Sequence, residues 1–458
     1  MNREDIVFHA RALLDRPDAD AFARLMRSAP PADVADALRD SPPKQVAALL
    51  APVPAKAQAR LFVELPDVQQ DAVLAEMPPA AVVPLVSALP SDERADLYNR
   101  LSPDGQRRLL PSLAQAERDD MLHLARYPEG TAGAAVTSQY ATVPAGTTVA
   151  NALRAVRATA PDKETIYVVY VLDGTGHLRG TVSLRDLVLA ADNASVDQLM
   201  RPDPVTVHAD DPDEKAAECI RRYDLLAVPV LNEDNRMIGI VTVDDAMDID
   251  HEQDATQLAR YGGTSALGGP DLDLRASPLR RIFGVRVFWL GILTVFGLVT
   301  STFVAAQEDM LQEVIVLAAF IAPIVDMGGN TGSQAATLVL RSMALGQLRP
   351  GWRDIWFVTR RELGVAAGLG AVIAILEVAL AYFAKGGLDA GVLATVGLSM
   401  LVCTVLGGVI GGLLPFVARR IGTDPATLSA PLITSVMDLI GVFVYFGFAY
   451  LFLGNLLA

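Results

Sequence analysis

From Ile282 onward the chain carries five apolar stretches, near residues 282–304, 311–340, 362–383, 391–418 and 428–453. Each is long enough to cross about 30 Å of hydrocarbon at about 20 residues per crossing. Few folds remain open to such a chain, because backbone polar groups find no water in lipid and the stretches must become helices. The second and fourth are interrupted by Gly, Pro and polar residues, which are tolerated at depth only against protein or water, so function is expected there.

Arginines orient the stretches. Arg280, Arg281 and Arg286 lie at the start of the first, Arg341, Arg349, Arg353, Arg360 and Arg361 follow the second, and Arg419 and Arg420 follow the fourth. The opposite loops carry Glu308, Asp309 and Glu313, then Lys385 with Asp389. This asymmetry predicts a cytoplasmic N-terminus and a C-terminus outside. MNREDIVFHARALL lacks the apolar core and cleavage site of a signal peptide, in keeping with a first half that stays in the cytoplasm.

A length of 458 residues leaves room for two or three domains, and charge separates them. Of 53 acidic and 38 basic residues, ten of each lie after residue 280, so the net charge of −15 falls entirely in the first 280. So acidic a surface repels nucleic acid and anionic lipid and attracts multivalent cations. The two cysteines, Cys219 and Cys403, are too few for a disulfide framework or a thiolate metal site. No nucleophile motif, P-loop or metal-hydrolase signature is present, and an enzyme is not expected.

Inside the apolar half, Asp326 in APIVDMGGNTGSQ and Asp438 in APLITSVMDLIGVFVYF call for an explanation. A charge at mid-membrane costs roughly 2.5–3.5 kcal/mol on insertion scales. At 1.5 Å per residue Asp438 lies roughly 15 Å into the fifth helix, and Asp326 roughly 22 Å from Arg341, so both could face one aqueous path. Around them stand Gly328, Gly329, Asn330, Thr331, Gly332, Ser333 and Gln334, with Ser429, Thr434 and Ser435 on the other segment. The same residues would also serve as a helix-packing seam with hydroxyl contacts. All five histidines precede the first stretch, so the ligands are oxygens, which suit Mg2+, Ca2+ or Mn2+.

PIVDMGGNTGSQAATLVLRSMALG followed by GTDPATLSAPLITSVMDLIGVFVYF resembles the MgtE family of bacterial magnesium channels, and the resemblance covers the whole chain. It implies a multidomain protein: a superhelical α-helical N-domain (1–127), an α+β tandem CBS pair (128–250), a connecting plug helix (251–279) and a five-helix transmembrane domain (280–458). It further implies a homodimer in the inner or plasma membrane, with the pore on its two-fold axis and surrounded by membrane lipid. The family's pore carboxylate falls on Asp438, with Thr434, Gly328, Asn330 and Asp326 as further pore residues. The chain departs from the family at Ala430, Thr434 and Ser435, and Asp326 stands where some members have glycine. These departures leave open a changed hydration shell or a looser choice among Mg2+, Mn2+ and Co2+.

Residues 1–127 read as short helices cut by prolines, each apolar at i, i+3, i+4, which should stack as an array. An internal repeat follows at a shift of 59 residues. Gly180-Thr-Val-Ser183-Leu-Arg-Asp186 matches Gly239-Ile-Val-Thr242-Val-Asp-Asp245, and the preceding strands repeat too, as in a CBS pair. CBS pairs often hold a nucleotide ribose with that Ser/Thr and Asp, implying ATP at Ser183 and Asp186, although Leu225 stands where an adenine-stacking aromatic is expected. Ser183 and Thr242 would equally serve as helix caps.

The resemblance carries Mg2+-sensing carboxylates onto Asp92, Asp96, Glu214, Asp224, Asp245 and Asp424. The plug helix often shows Glu-Asp in the family where this chain has Thr256-Gln257, with Glu252 and Asp254 close by. The expected function is a Mg2+ channel that closes when cytoplasmic Mg2+ is replete. Two other readings are a proton- or Na+-coupled divalent cation transporter and a signalling protein whose spans only anchor a CBS sensor.

Overall fold

A computed structural model describes residues 3–15, 18–264, 272, 274, 277–385, 388–425 and 430–456. The chain divides into two compact units, Met1–Glu252 and Gln253–Ala458.

The first unit begins with ten α-helices among the described residues, from α1 (Arg3–Asp15) and α2 (Ala19–Ser28) to α9 (Pro103–Leu109) and α10 (Gln115–Leu124). Between them run α3 (Pro31–Leu38), α4 (Pro43–Leu50), α5 (Ala55–Phe62), α6 (Asp67–Glu76), α7 (Pro79–Ala88) and α8 (Ser91–Arg100). Pro30, Pro42, Pro54, Pro66, Pro78 and Pro90 occupy the cap positions of α3 to α8, a period of twelve residues that Ser102 and Ala114 continue. Proline lacks an N–H and holds its predecessor extended, so each one ends a helix and starts the next. Helices two apart pack together, α3 on α5, α4 on α6, α5 on α7 and α8 on α10. The core between them includes Val34, Leu38, Val46, Leu50 and Phe62. Buried Gln58 and Gln70, also twelve apart, donate to the Leu50 and Leu65 carbonyls at 2.7 and 2.8 Å, satisfying acceptors at the end of α4 and in the turn after α5.

Two small sheets follow. The first has the order β1 (Tyr140–Pro144), β2 (Thr165–Leu172), β3 (Leu178–Ser183), β4 (Arg201–Pro202), and the second β5 (Val207–His208), β6 (Ala227–Leu231), β7 (Met237–Thr242). Their helices are α11 (Val149–Thr159), α12 (Leu184–Leu189), α13 (Val196–Leu199) and α14 (Asp213–Tyr223). The repeat is structural: in each sheet a parallel pair is joined to an antiparallel hairpin. Gly180 and Gly239 are required at equivalent positions, since a Cβ would lie 2.6 Å from the Arg201 carbonyl oxygen in one and 2.4 Å from that of Thr137 in the other. The last helix, α15 (Val243–Tyr261), continues from β7 into the second unit.

The second unit contains α16 (Leu279–Ala305), α17 (Glu308–Glu313), α18 (Ala318–Ala344), α19 (Trp352–Lys385), α20 (Ala390–Arg420) and α21 (Ala430–Leu453). All but α17 are long and apolar enough to cross a membrane. Helix α19 starts ten residues before the expected 362, because Arg353, Arg360 and Arg361 dilute hydropathy without breaking the helix. The expected interruption of α18 is absent: the helix runs unbroken through Pro323 and the GGNTGSQ segment. Its glycines serve close packing instead. A Cβ on Gly407 would lie 2.2 Å from the Gly328 carbonyl oxygen, and one on Gly411 2.1 Å from that of Gly332, so α18 and α20 run in parallel with their backbones in contact.

Candidate functional site

Helix α18 also packs against α21, and this pair of helices brings the two mid-helix acids to one level. A Cβ on Gly329 would lie 3.2 Å from the Thr434 Cα, and one on Gly441 3.4 Å from the Val325 Cα. These approaches pair lower numbers on one helix with higher numbers on the other, so the helices are antiparallel. Asp326 lies between Val325 and Gly329, and Asp438 between Thr434 and Gly441, which sets both carboxylates at one level. They are near enough to feel each other's charge. Asn330 donates from Nδ2 to Asp326 Oδ2 at 2.9 Å and fixes its direction. Asp326 and Asn330 are exposed and Asp438 is half-exposed.

The sequence grouped further residues with this face, and the structure sorts them. Gly328 is buried, its Cβ position 3.2 Å from Met437 Cε on α21 and 3.4 Å from the Cys403 carbonyl oxygen on α20, so it belongs to the packing seam of the three helices. Thr434 marks the crossing of α18 and α21, its hydroxyl returned to the Ala430 carbonyl at 3.1 Å. Ser429 lies outside the described residues.

Arg260, near the end of α15, forms an ion pair with Asp424, which follows α20. The neighbouring Tyr261 hydroxyl lies 2.9 Å from the Ser333 carbonyl oxygen and 2.7 Å from the Thr337 hydroxyl on α18. Asp424, expected among the cation-sensing carboxylates, is therefore engaged by a cation of the chain itself.

In the first unit a separate acidic cluster forms. Ser91, at the start of α8, accepts from the Ser138 amide at 2.7 Å and contacts the Thr137 hydroxyl at 3.1 Å, tying the helical domain to the sheets. That anchorage carries Asp92, Glu93 and Asp96 toward Asp245 and Glu164. Burial, then the charges of Asp245, Glu93 and Glu164, push the Asp92 carboxyl well above the ordinary range. Burial and the charge of Asp96 lift Glu93 to about 7, and burial lifts Asp96 to about 6 against the pull of Arg100, although its side chain still meets solvent. Asp245 is raised by burial too, despite accepting from the Thr242 hydroxyl at 2.5 Å. One oxygen of Asp92, Oδ1, is buried with no hydrogen-bond partner, an acceptor suited to a cation or its bound water. Among the described residues no three His, Cys, Asp or Glu side chains lie close enough to chelate one ion directly. A hydrated ion bridging fewer carboxylates fits this spacing.

The remaining sensing candidates lie apart from one another. Glu214 is exposed in the first turn of α14, whereas Asp224 caps the other end of that helix in the left-handed conformation, φ 53°. At about 1.5 Å per residue the two are roughly 15 Å apart. Sequence reasoning missed Glu93 and Glu164. The signal was the run Asp92-Glu93 on a helix bearing Asp96, but only the fold shows which acids converge.

Asp224 instead borders a cavity of about 230 Å³ together with Tyr170, Ser183, Asp186, Arg201 and Leu225. Ser183 caps α12, accepting from the Asp186 amide at 3.0 Å, so the capping role is realised while the Asp186 carboxylate remains at the cavity. The Tyr170 hydroxyl is buried there without a partner.

Residues 321–448 match the family described as a divalent cation transporter, MgtE, residues 29–130 its intracellular N domain, and residues 132–193 and 196–252 the CBS domain. The chain is 37% identical over 347 residues to the magnesium transporter MgtE of Thermus thermophilus, covering 76% of this chain and 75% of that one. It is 31% identical over 338 residues to that of Enterococcus faecalis, covering 74% and 72%. Two solved structures resemble the soluble part. One is the soluble part of a magnesium transporter (29% identity, TM-score 0.52, 55% of this chain and 99% of that one). The other is the cytosolic domain of the Mg2+ channel MgtE in complex with ATP (32%, TM-score 0.51, 53% and 99%).

Proposed function

The chain belongs to the MgtE family of divalent cation transporters and is a multi-pass membrane protein, and from that premise we propose that it is a Mg2+ channel closed by Mg2+ on its acidic cytoplasmic side. The observation that carries the reading is the polar face of α18 and α21. Asp326, Asn330 and Asp438 lie at mid-helix and face outward from this subunit, where lipid would be costly. A second copy across a two-fold axis covers that face and turns it into a water-filled path. Mg2+ then passes with much of its water, held by one or two carboxylates at a time. On this reading the arginine-rich loops lie with the first unit in the cytoplasm, the C-terminus lies outside, and the membrane is the inner or plasma membrane.

Closure follows from linkage. Without the ion, Asp92, Glu93, Asp96, Asp245 and Glu164 repel one another, and Mg2+ neutralises them and holds the helical domain on the CBS pair. An ion that favours the compact form by about 1.4 kcal/mol at each of four sites would shift the balance by roughly 10⁴. ATP would sit in the CBS cavity, with Asp186 toward its ribose, Arg201 toward its phosphates and the unsatisfied Tyr170 hydroxyl toward its base. A transport rather than catalytic role accords with this set of residues.

The test is flux of Mg2+, Mn2+, Co2+ and Ca2+ into liposomes for wild type and Asp438→Ala. Loss of at least tenfold is expected, and normal conduction by the variant overturns the pore assignment. Single-channel currents separate a channel from a coupled carrier. Replacing Asp92, Asp96 and Asp245 together with Ala leaves the pore open at millimolar Mg2+, and unchanged closure would sink the sensor reading.

A further inference from the structure

The residues Asp326, Asn330, Ser333 and Thr337 are spaced by four, three and four, which lines them along one face of α18. Tyr261 contacts the last two, so the end of α15 covers the end of the stripe that holds the pore acids. Arg260, its neighbour in the chain, pairs with Asp424. The acids of α15 end at Asp254; beyond it the helix presents Thr256 and Gln257, and it is an arginine that reaches the loop after α20.

We propose that Arg260 and Asp424 form a built-in, metal-free latch that holds the end of α15 over the inner end of the ion path, so that Asp424 acts as the latch's anion rather than as a Mg2+ ligand. This rests on reading the α18–α21 face as that path. The physical consequence is a bias that needs no bound ion. Both side chains are partly exposed, and an ion pair of that kind shifts an equilibrium by about two- to fivefold. The latch therefore favours closure at every Mg2+ concentration, while the acidic cluster of the first unit supplies the dependence on Mg2+. Because the pair meets solvent, added salt weakens it.

The sign of one substitution separates the two roles of Asp424. If it is the latch's anion, Arg260→Gln raises the flux that persists at millimolar Mg2+, by about threefold, in liposomes containing the full-length protein. Added KCl then raises that flux in wild type but not in the variant, and the exchange Arg260→Asp with Asp424→Arg restores closure. If Asp424 is a Mg2+ ligand, removing the neighbouring positive charge makes the channel close at lower Mg2+, and that outcome overturns the proposal. So does a variant that closes like wild type. A readout independent of flux distinguishes failure of the latch from failure of the channel reading. In a background with Cys219→Ala and Cys403→Ala, Tyr261→Cys and Thr337→Cys are joined by a short bifunctional thiol reagent. The yield falls about threefold when Arg260→Gln is added, whether or not the protein conducts Mg2+, and an unchanged yield rejects the latch.

Discussion

Gly407 stands so close to Gly328 that a Cβ on the first would lie 2.2 Å from the carbonyl oxygen of the second. Four residues on, Gly411 repeats the relationship with Gly332 at 2.1 Å. Carbonyl oxygens cannot yield as a flexible side chain can, so Gly407→Ala or Gly411→Ala must push α20 away from α18. Each should destabilise the protein by about 1–3 kcal/mol, read as a lower melting temperature in detergent. Gly364→Ala, where a Cβ meets nothing within 4 Å, serves as the neutral comparison.

Asp326 should act on ion choice more than on conduction. Its carboxylate shares a level with Asp438 and is held by Asn330, so it adds negative charge where the ion meets the first pore acid. Asp326→Asn should reduce Mg2+ flux several-fold less than Asp438→Ala does, and should change the ratio of Mg2+ to Mn2+ and Co2+ flux. An unchanged ratio would remove Asp326 from the path.

The acidic cluster predicts a dependence on pH. An acid whose pKa is raised in the folded protein favours folding below its ordinary pKa, and that contribution is lost as pH rises through the raised value. With Asp96 near 6 and Glu93 near 7, the protein without Mg2+ should melt higher at pH 5 than at pH 8. Mg2+ competes with those protons. Its effect on the melting temperature should therefore be largest above pH 7 and nearly absent below pH 5, and should shrink in Asp92→Asn.

The CBS cavity offers a carboxylate for a ribose and a guanidinium for phosphate, but Leu225 where an aromatic would stack on the base. Asp186→Ala should weaken ATP binding, measured by calorimetry, at least tenfold. Leu225→Phe should strengthen it by roughly tenfold, since stacking on an aromatic contributes about 1–3 kcal/mol per base. Equal affinities in all three proteins would move ATP away from this cavity.

The sequence by itself determined the membrane helices, the CBS repeat and the acidity of the first half, because hydropathy, internal similarity and charge are written locally. The twelve-residue proline period is equally local, although the apolar face of each single helix does not reveal it. Tertiary structure alone decided which residues share a site. It turned Gly328 and Gly332 from an expected break in α18 into contacts with α20, since a glycine run supports either outcome until a partner helix arrives. It joined Glu93 and Glu164 to Asp92 and separated Glu214 from Asp224. It also gave Asp424 to Arg260, 164 residues away in the chain. Electrostatic partners are chosen by proximity in space, and one-dimensional spacing carries that information only within a single helix or strand.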